Sequence, residues 1–395
     1  MASSSRPGMG AIPYTAGVTF RVWAPFASAV CVAGSFNGWS TESAPLTQEG
    51  NGYWSADVAG AQVGDEYKFV ITNADTAALL WKNDPYARSM TNSVGHSIVA
   101  NPDYVWESAG YSTPPWNELV IYELHVGSFM FDPASPNRRG NFDTVIGELD
   151  YLQDLGINAI QVMAADEFPG DISWGYNPAF IFAIEQSYGG PNGFRRLVDA
   201  AHARGIAVIF DVVYNHLGPS DLDLWKFDGW SPTGRDDEGG IYFYNDWRKK
   251  TPWGDTRPDY GRGEVRQYIR DNALRWLEQR YCDGLRWDAT GWIRNVRGAN
   301  NDPGSDIGGA GSRSGSGPGV DLAGKRRQLL LPKALDPRRG ARLYRARHPD
   351  ALHGPGIPGM GSMVGCPRTR LVEGGPLFGH PKFVSRPDPA PPQLV

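Results

Sequence analysis

Cysteine is scarce in this sequence, and long apolar runs are absent. The 395 residues include only three cysteines, Cys31, Cys282 and Cys366, and these lie far apart. Their spacing fits neither a disulfide framework nor a metal site, which favours a reducing compartment. No stretch approaches the roughly 20 apolar residues that span a bilayer, and the N-terminus lacks the apolar segment of a signal peptide. We therefore expect a cytoplasmic protein with no membrane partner.

The sequence also lacks a strong excess of either charge. Its formal net charge of -5 gives no reason to expect nucleic acid as a partner. Aromatic residues are abundant instead, with 14 tryptophans and 17 tyrosines. Rigid aromatic faces can stack on sugar rings, but they also fill protein cores, and composition alone favours the core.

Residues 18–101 show the pattern of a small β-sandwich. Short apolar runs alternate there with turn residues, which is typical of antiparallel strands. The runs are VTFRVWAP (18–25), AVCVAGSF (29–36), GYWSADV (52–58) and EYKFVIT (66–72). Residues 1–17 are predicted to be a flexible N-terminus, and residues 102–117 are predicted to be a linker.

Residues 118–307 alternate between strand-like and helix-like patterns, which predicts an α/β domain with a parallel sheet. Continuous apolar runs of the kind found in buried parallel strands occupy 119–129, 157–163, 205–216 and 283–290. Apolar residues at helical spacing lie between them, at 142–152, 192–205 and 264–281. Asn192 is placed to cap the second of these helices. A long aromatic excursion, 217–263, follows the third strand.

Residues 308–395 differ in kind from the rest. They contain no tryptophan, are rich in Gly, Pro and Arg, and carry 14 Lys or Arg against 5 Asp or Glu. Such a composition buries too little apolar surface to offset the entropy of the chain. We expect this tail to be disordered or irregular.

Two short strings place polar groups at strand ends. Asp211 to His216 ends the third apolar run, and Gly284 to Asp288 ends the fourth. Arg286 and Asp288 are two residues apart, so both side chains point to the same face of an extended strand. An arginine beside a carboxylate keeps it ionised, as a nucleophile requires. A salt bridge that merely closes the strand end explains the same pattern equally well.

Taken together with three further segments, these strings resemble glycoside hydrolase family 13, the α-amylase family. WGYNP (174–178) resembles the Trp-Gly-Tyr segment of the family, and YELHVGSF (122–129) resembles the first barrel strand of its branching enzymes and trehalohydrolases. FRVWAP and GSFNGW resemble the family 48 carbohydrate-binding module. The resemblance covers about 18–307 and implies a β-sandwich followed by the first half of a (β/α)8 TIM barrel.

The resemblance implies a retaining reaction on an α-1,4-glucan or maltooligosaccharide, most like that of a 1,4-α-glucan branching enzyme. Asp288 would be the nucleophile, and Arg286 would hold it. The residues implied to bind substrate or to surround the nucleophile are Asp211, His216, Tyr176, Asn215 and Trp174. Asn215 corresponds to a calcium ligand in many amylases, but branching enzymes often lack that ion, so no metal or other cofactor is predicted.

Several other aromatic residues and one histidine leave alternatives open. His125 is predicted to lie in the core or behind the site. Trp39 and Trp54 of the sandwich either bind glucan or pack the module against the barrel, and packing is slightly favoured. One or two tryptophans of the excursion are expected to contact substrate; the candidates are Trp225, Trp230, Trp247 and Trp253.

The sequence lacks the second carboxyl group that a retaining glycosidase needs as its general acid. Glu373 is the only glutamate after Ile307 and follows no strand-like run, and His348 and Asp350 do not form the His-Asp pair of the family. Four further strand–helix units need about 30 residues each, more than the 88 that remain. We hypothesise that the reading frame shifts near Ile307, and we expect little or no activity from this chain.

Three functional interpretations therefore stay open. The first is a branching enzyme, and the second is a hydrolase of the same family, such as a trehalohydrolase or debranching enzyme. The third is a glucan-binding protein or truncated homologue without turnover.

Overall fold

The computed structural model describes residues 2–135, 138–279 and 282–294. The tail predicted for 308–395 lies outside the described residues. No helix in the described part is long and apolar enough to cross a membrane.

The N-terminal part is built from two antiparallel sheets. The first has the order β1-β2-β5-β4, and in the second β3, β7 and β8 all pair with β6. Phe20 of the first sheet contacts Tyr67 of the second, with ring centroids 5.0 Å apart, and both are buried. The strands are β1 (Gly10–Tyr14), β2 (Gly17–Trp23), β3 (Ala27–Gly34), β4 (Thr47–Gly50), β5 (Tyr53–Ala59), β6 (Glu66–Asn73), β7 (Leu79–Lys82) and β8 (Ser97–Ile98).

Strand β1 lies within the segment 1–17 that was predicted to be flexible, so that prediction is wrong for Gly10–Tyr14. The strand pairs with β2 over its whole length, and buried Arg21 of β2 holds the residues that precede it. Its guanidinium donates hydrogen bonds to the backbone carbonyls of Ser4, Arg6 and Gly8 at 2.9, 2.5 and 2.6 Å. A buried guanidinium must find acceptors, and the N-terminal backbone supplies them.

A parallel sheet forms the centre of the second part. Its order is β9-β10-β13-β14, and every neighbouring pair is parallel. The strands are β9 (Ile121–Leu124), β10 (Ala159–Val162), β13 (Ala207–Val212) and β14 (Gly284–Trp287). A separate antiparallel pair, β11 (Asp166–Glu167) and β12 (Phe180–Ile184), lies between β10 and β13 along the chain. This is the partial α/β barrel that the sequence predicted.

The helices largely follow the predicted pattern and differ at two points. The predicted helix over 142–152 is broken at Gly147 and Glu148 into two short helices. The helix predicted to be capped by Asn192 begins three residues earlier, after Gly189, which adopts a left-handed φ of 111°. The helices are α1 (Val126–Phe129), α2 (Phe142–Ile146), α3 (Leu149–Asp154), α4 (Gly190–Ala203), α5 (Gly263–Glu278) and α6 (Thr290–Arg294).

Helix α5 packs behind the strands that carry the polar groups. Trp276 is fully buried and stacks on Phe210 of β13, with ring centroids 4.1 Å apart. Asn272, one turn earlier, accepts hydrogen bonds from the Tyr214 hydroxyl at 2.5 Å and from Trp276 Nε1 at 3.0 Å. These contacts fix the backbone at the end of β13.

The segment predicted to be a linker runs along helix α4 and is held to it. Arg195 of α4 donates to the carbonyls of Asn101 and Pro102 at 3.1 Å each. Asp199, one turn further on, accepts from the backbone amides of Glu107 and Ser108 at 3.1 and 2.9 Å.

The excursion after β13 packs against the sandwich. Trp230 stacks on Phe26, with ring centroids 4.2 Å apart and planes at 6°. Buried Asp228 accepts a hydrogen bond from the Phe26 amide at 3.0 Å, and its own carbonyl accepts one from Asn73 at 2.8 Å. The sandwich is therefore one support of the segment that follows the third barrel strand.

Candidate active site

The candidate site lies at the carboxyl end of the parallel sheet. Asp211 on β13 is paired in register with Arg286 on β14. Asp288 comes directly after β14, and its amide donates to the carbonyl of Val212 at 3.0 Å, which continues the ladder past the strand end. Because the strands are parallel, the three charged side chains emerge at one edge of the sheet.

Arg286 bridges the two aspartates. Its Nη1 lies 2.8 Å from Oδ1 of Asp288, and 3.0 and 2.9 Å from the two carboxylate oxygens of Asp211. The Asp211 side chain is fully buried, whereas 16% of the Asp288 side chain is exposed. Of the two carboxylates, Asp288 is the one that a ligand can reach.

Asn215 holds the other oxygen of Asp288. Its Nδ2 donates to Oδ2 of Asp288 at 2.9 Å and to the Asp288 carbonyl at 3.1 Å. Its Oδ1 contacts Nδ1 of His216. Both ends of the Asn215 amide are therefore occupied by protein atoms.

Tyr176 lies over the Arg286–Asp211 pair. Its hydroxyl donates to Oδ2 of Asp211 at 2.7 Å, and the Arg286 guanidinium lies 5.8 Å from its ring centroid. Gly175 has a φ of 87°, and a Cβ at this position would collide with the carbonyl oxygen of Ala164. The close approach of this turn to the chain after β10 sets the position of the half-buried tyrosine ring.

His216 is buried behind the excursion. Its ring stacks on Trp253, with centroids 5.0 Å apart and planes at 19°. Burial lowers the pKa of His216 to about 4, although the charge of Asp288 acts in the opposite direction. The imidazole is therefore neutral near pH 7 and can both donate and accept a hydrogen bond.

The buried carboxylate of Asp211 differs electrostatically from an ordinary aspartate. Burial raises its pKa to about 6, and the hydrogen bond from Tyr176 and the charge of Arg286 oppose that rise. The two aspartates in turn hold the pKa of Arg286 above its usual value, against the effect of its burial. The arrangement is a fixed cation between a buried anion and an accessible carboxylate.

Similarity to known proteins covers most of the described chain. Residues 8–87 match the family of carbohydrate-binding module 48 (isoamylase N-terminal domain), and residues 85–227 match the α-amylase catalytic domain. The chain is 37% identical to malto-oligosyltrehalose trehalohydrolase of Saccharolobus solfataricus over 69% of its length and 44% of the relative. It is 36% identical to a 1,4-α-glucan branching enzyme of Oleidesulfovibrio alaskensis over 72% of its length and 47% of the relative.

The chain belongs to the α-amylase family. A crystal structure of a putative α-amylase from Salmonella typhimurium shares its fold, with a TM-score of 0.60 and 33% identity over 73% of this chain and 44% of the other. The chain thus spans less than half the length of these relatives. The expectation of an α-amylase-family protein with an N-terminal module 48 is confirmed.

Five of the residues that the resemblance implied to be catalytic or substrate-binding lie together in this α-amylase-family chain. A sixth is linked to them by ring stacking and by an amide contact. The first five are Asp288, Arg286, Asp211, Asn215 and Tyr176, and the sixth is His216. Trp174 is the exception, because 73% of it is exposed at the outside of the Trp-Gly-Tyr turn. Its role in substrate binding stays a prediction.

The two sandwich tryptophans have different surroundings. Trp54 is buried, and its Nε1 donates to the carbonyl of Ala24 at 3.0 Å, so it is part of the core. Trp39 is partly exposed and lies beside Trp81 and His96, with ring centroids 6.4 and 4.5 Å away. Trp81, which sequence reasoning did not single out, is 43% exposed. The sequence feature that could have indicated it is the strand LLWK, in which alternation of the side chains places a large aromatic residue on the outer face.

The excursion tryptophans also separate into groups. Trp230 packs on the sandwich and Trp225 on Phe243, whereas Trp253 is 44% exposed beside His216. Trp292 of α6, which sequence reasoning missed, meets Trp253 edge-on at 6.1 Å.

His125 lies behind the site, which is one of the two positions predicted for it. Its Nε2 lies 2.9 Å from the carbonyl oxygen of Ser173 and 3.0 Å from the Tyr188 hydroxyl. Its Nδ1 lies 2.8 Å from the hydroxyl of Ser128. These contacts support the turn that carries Tyr176.

Proposed function

We propose that this chain carries the nucleophile side of a site for retaining glycosyl transfer on α-1,4-glucans, with Asp288 as the nucleophile. The observation that carries the proposal is the setting of the Asp288 carboxylate, which is partly exposed and held on one oxygen by Arg286 and on the other by Asn215. A carboxylate oriented in this way can attack a sugar carbon without first paying the cost of becoming ordered.

The neighbours of Asp288 supply what the reaction requires around a sugar ring. Tyr176 offers a ring face for stacking, and neutral His216 offers a hydrogen bond to a sugar hydroxyl. Buried Asp211 acts behind them by holding Arg286 and Tyr176 in place. In the first step, a carboxylate oxygen of Asp288 bonds to the anomeric carbon as the bond to the departing oxygen breaks, which gives a β-linked glycosyl-enzyme. Water or a sugar hydroxyl then releases the glycosyl group with net retention.

The proton for a departing sugar must come from a second carboxyl group, about 5–5.5 Å from the nucleophile in retaining enzymes. Asp211 does not suit this role, because Arg286 and Tyr176 already donate to its oxygens. Glu373 is the only glutamate after Ile307, and it follows no strand-like run. We therefore propose little or no turnover of ordinary glucans by the 395-residue chain.

Fluoride release from α-maltosyl fluoride tests Asp288 without that second group, because fluoride departs without being protonated first. We expect the 395-residue chain to release fluoride above the spontaneous rate and Asp288→Asn to lose this activity, by roughly 10⁴-fold or to the background. Asp154→Asn, an exposed aspartate on α3, is the matched control and should behave like the wild type. Equal rates for the wild type and Asp288→Asn would overturn the proposal.

Among the family activities, we propose chain transfer of the branching type, and hydrolysis is the runner-up. Matches to branching enzymes favour the first, and the match to a trehalohydrolase favours the second. Incubating the chain with α-maltosyl fluoride and a maltooligosaccharide acceptor separates them. New α-1,6 linkages by NMR would support branching, whereas free maltose alone would indicate hydrolysis.

A second candidate function is glucan binding by the sandwich without turnover. It is favoured by the partly exposed pair Trp39 and Trp81 on that module. Co-sedimentation with starch granules should fall in Trp39→Ala and Trp81→Ala. Trp116→Ala, which changes an exposed tryptophan outside the module, should not reduce it.

A further inference from the structure

Asp166 is a buried acid that the proposed reaction does not use. It begins β11, four residues after β10 ends, and its side chain has no exposed surface. Neither carboxyl oxygen has a hydrogen-bond partner among the described residues. Buried polar groups in native proteins are nearly always satisfied, so this exception calls for an explanation.

A charged carboxylate cannot be stable in such a place. Moving an ion from water into a dry interior without partners is strongly unfavourable in free energy, so the group instead takes up a proton. A protonated acid avoids most of this cost. Burial alone thus favours the neutral form of Asp166.

The groups that face Asp166 do not reverse this preference. They are Asp211 of β13, Tyr214 just after it, and Tyr268 and Arg275 of α5. Arg275 favours the anion, whereas Asp211 disfavours it and burial has the largest effect. The pKa of Asp166 is accordingly raised well above its usual value.

Asp211 and Asp166 have opposite surroundings, although both are fully buried. Asp211 receives hydrogen bonds from Arg286 and Tyr176, whereas Asp166 receives none in the described part. When two carboxyl groups lie within each other's field, the one with donors keeps the charge and the other keeps the proton.

We propose that Asp166 is a neutral carboxylic acid in the folded protein, so that Asp211, and not Asp166, carries the negative charge behind the site. The neutral state of Asp166 does not depend on the proposed reaction at Asp288. Every measurement below is made without glucan, so its failure is distinct from a failure of the proposed function.

The dependence of stability on pH tests the proton on Asp166. An acid whose pKa is higher in the folded than in the unfolded protein stabilises the fold fully at pH values below its pKa in the unfolded protein. This stabilisation is lost as the pH rises towards its pKa in the folded protein. Between pH 5 and 7, the unfolding equilibrium constant of the wild type should therefore rise relative to that of Asp166→Asn, by up to about tenfold per pH unit. Urea unfolding of both proteins at each pH measures this ratio.

A ratio that does not change with pH would overturn the proposal. Asp154→Asn, at an exposed site, should give a constant ratio to the wild type over the same range. If Asp166→Asn does not fold, Asp166→Ser replaces it, because serine is also neutral at every pH used.

Infrared spectroscopy detects the neutral acid directly. The difference spectrum of the wild type and the neutral variant at pH 7 should contain the carbonyl stretch of one protonated carboxyl group, shifted in heavy water. A carboxylate band in its place would contradict the proposal.

The titration of Asp211 tests whether Asp166 carries a charge in its vicinity. Carbon-13 NMR of labelled aspartate, assigned with Asp211→Asn, should show the same midpoint near pH 6 in the wild type and in Asp166→Asn. If Asp166 were charged, removing it would lower that midpoint, and this result would overturn the proposal.

Discussion

The sandwich and the parallel sheet differ in how their strands are covered. In the sandwich, the central strands β2 and β6 have partners on both sides and their side chains share one core. Within the described residues, the parallel sheet ends at β9 and β14, and Ile121 of β9 is 42% exposed. The sandwich is thus locally complete, whereas the parallel sheet carries charged groups at one end and open edges at both sides.

The two regions therefore contribute differently to stability and to function. The sandwich contributes a core and a support for the excursion, and the parallel sheet contributes Asp211, Arg286 and Asp288. We expect substitutions in the two regions to have different consequences.

The largest expected effect is on the stability of the parallel sheet. Trp276→Ala removes a fully buried ring that stacks on Phe210 and should cost about 3–5 kcal/mol in the free energy of unfolding. Urea unfolding followed by limited proteolysis should show early loss of the second part while the sandwich resists. Trp116→Ala is the exposed control, and a loss below about 1 kcal/mol in Trp276→Ala would contradict this packing.

Arg286→Lys should lower fluoride release from α-maltosyl fluoride by about 10²-fold, since a lysine ammonium cannot replace the planar guanidinium between two carboxylates. The free energy of unfolding should change much less than in Trp276→Ala. The fluoride electrode measures the rate, and Arg196→Lys, at an exposed ion pair on α4, is the matched control. A rate equal to that of the wild type would show that Arg286 does not orient Asp288.

Asp228→Ala tests the support that the sandwich gives to the excursion. It leaves the Phe26 amide without its carboxylate acceptor and should cost about 1–3 kcal/mol. Hydrogen exchange should quicken in the excursion and at the start of β3, and remain unchanged in α4. Unchanged exchange in the excursion would mean that Phe26 and Trp230 hold the two parts together without Asp228.

The affinity of the cleft for a maltooligosaccharide should depend on pH through Asp211. Its pKa is raised to about 6, so the anion is present above that pH and is lost as pH falls through it. Because this anion holds Arg286 beside Asp288, and we expect sugar binding to require that arrangement, affinity should fall by up to tenfold per pH unit below about 6. Calorimetry with Trp39→Ala, which weakens binding by the sandwich, isolates the cleft, and Asp211→Asn should bind weakly at every pH.

The smallest expected effect is at the sandwich surface. Trp39→Ala should weaken glycogen binding in affinity electrophoresis by about three- to tenfold, the range expected for one aromatic contact. Trp116→Ala changes an exposed tryptophan outside the sandwich and should leave this binding unchanged. An equal loss in both variants would place the binding outside the sandwich.

The sequence was most informative where an apolar strand ends in charged residues. The runs before Asp211 and Asp288 are apolar and continuous, so the strand ends and their shared edge could be predicted from local pattern. The order of residues 4–8 could not be predicted, because they are held by the side chain of Arg21, which is distant along the chain. The break between α2 and α3 is likewise invisible in the apolar spacing.

The finer parts of the site depend on contacts between distant segments. Trp253 stacks on His216 from the far end of the excursion, and no periodicity links them. Asp166 follows a strand just as Asp288 does, but only the folded structure shows that one is without partners and the other is held on both oxygens. Sequence pattern located the candidate nucleophile, and tertiary structure distinguished it from the other acids.

Trapping of the glycosyl-enzyme tests the role of Asp288 most directly. A maltosyl fluoride carrying a second fluorine on the reacting ring forms the covalent intermediate quickly and releases it slowly. Mass spectrometry of the digested 395-residue chain should then find one maltosyl adduct, on the Asp288 side chain in the peptide that spans DGLRWDAT. No adduct, or an adduct on another residue that persists in Asp288→Asn, would contradict the account.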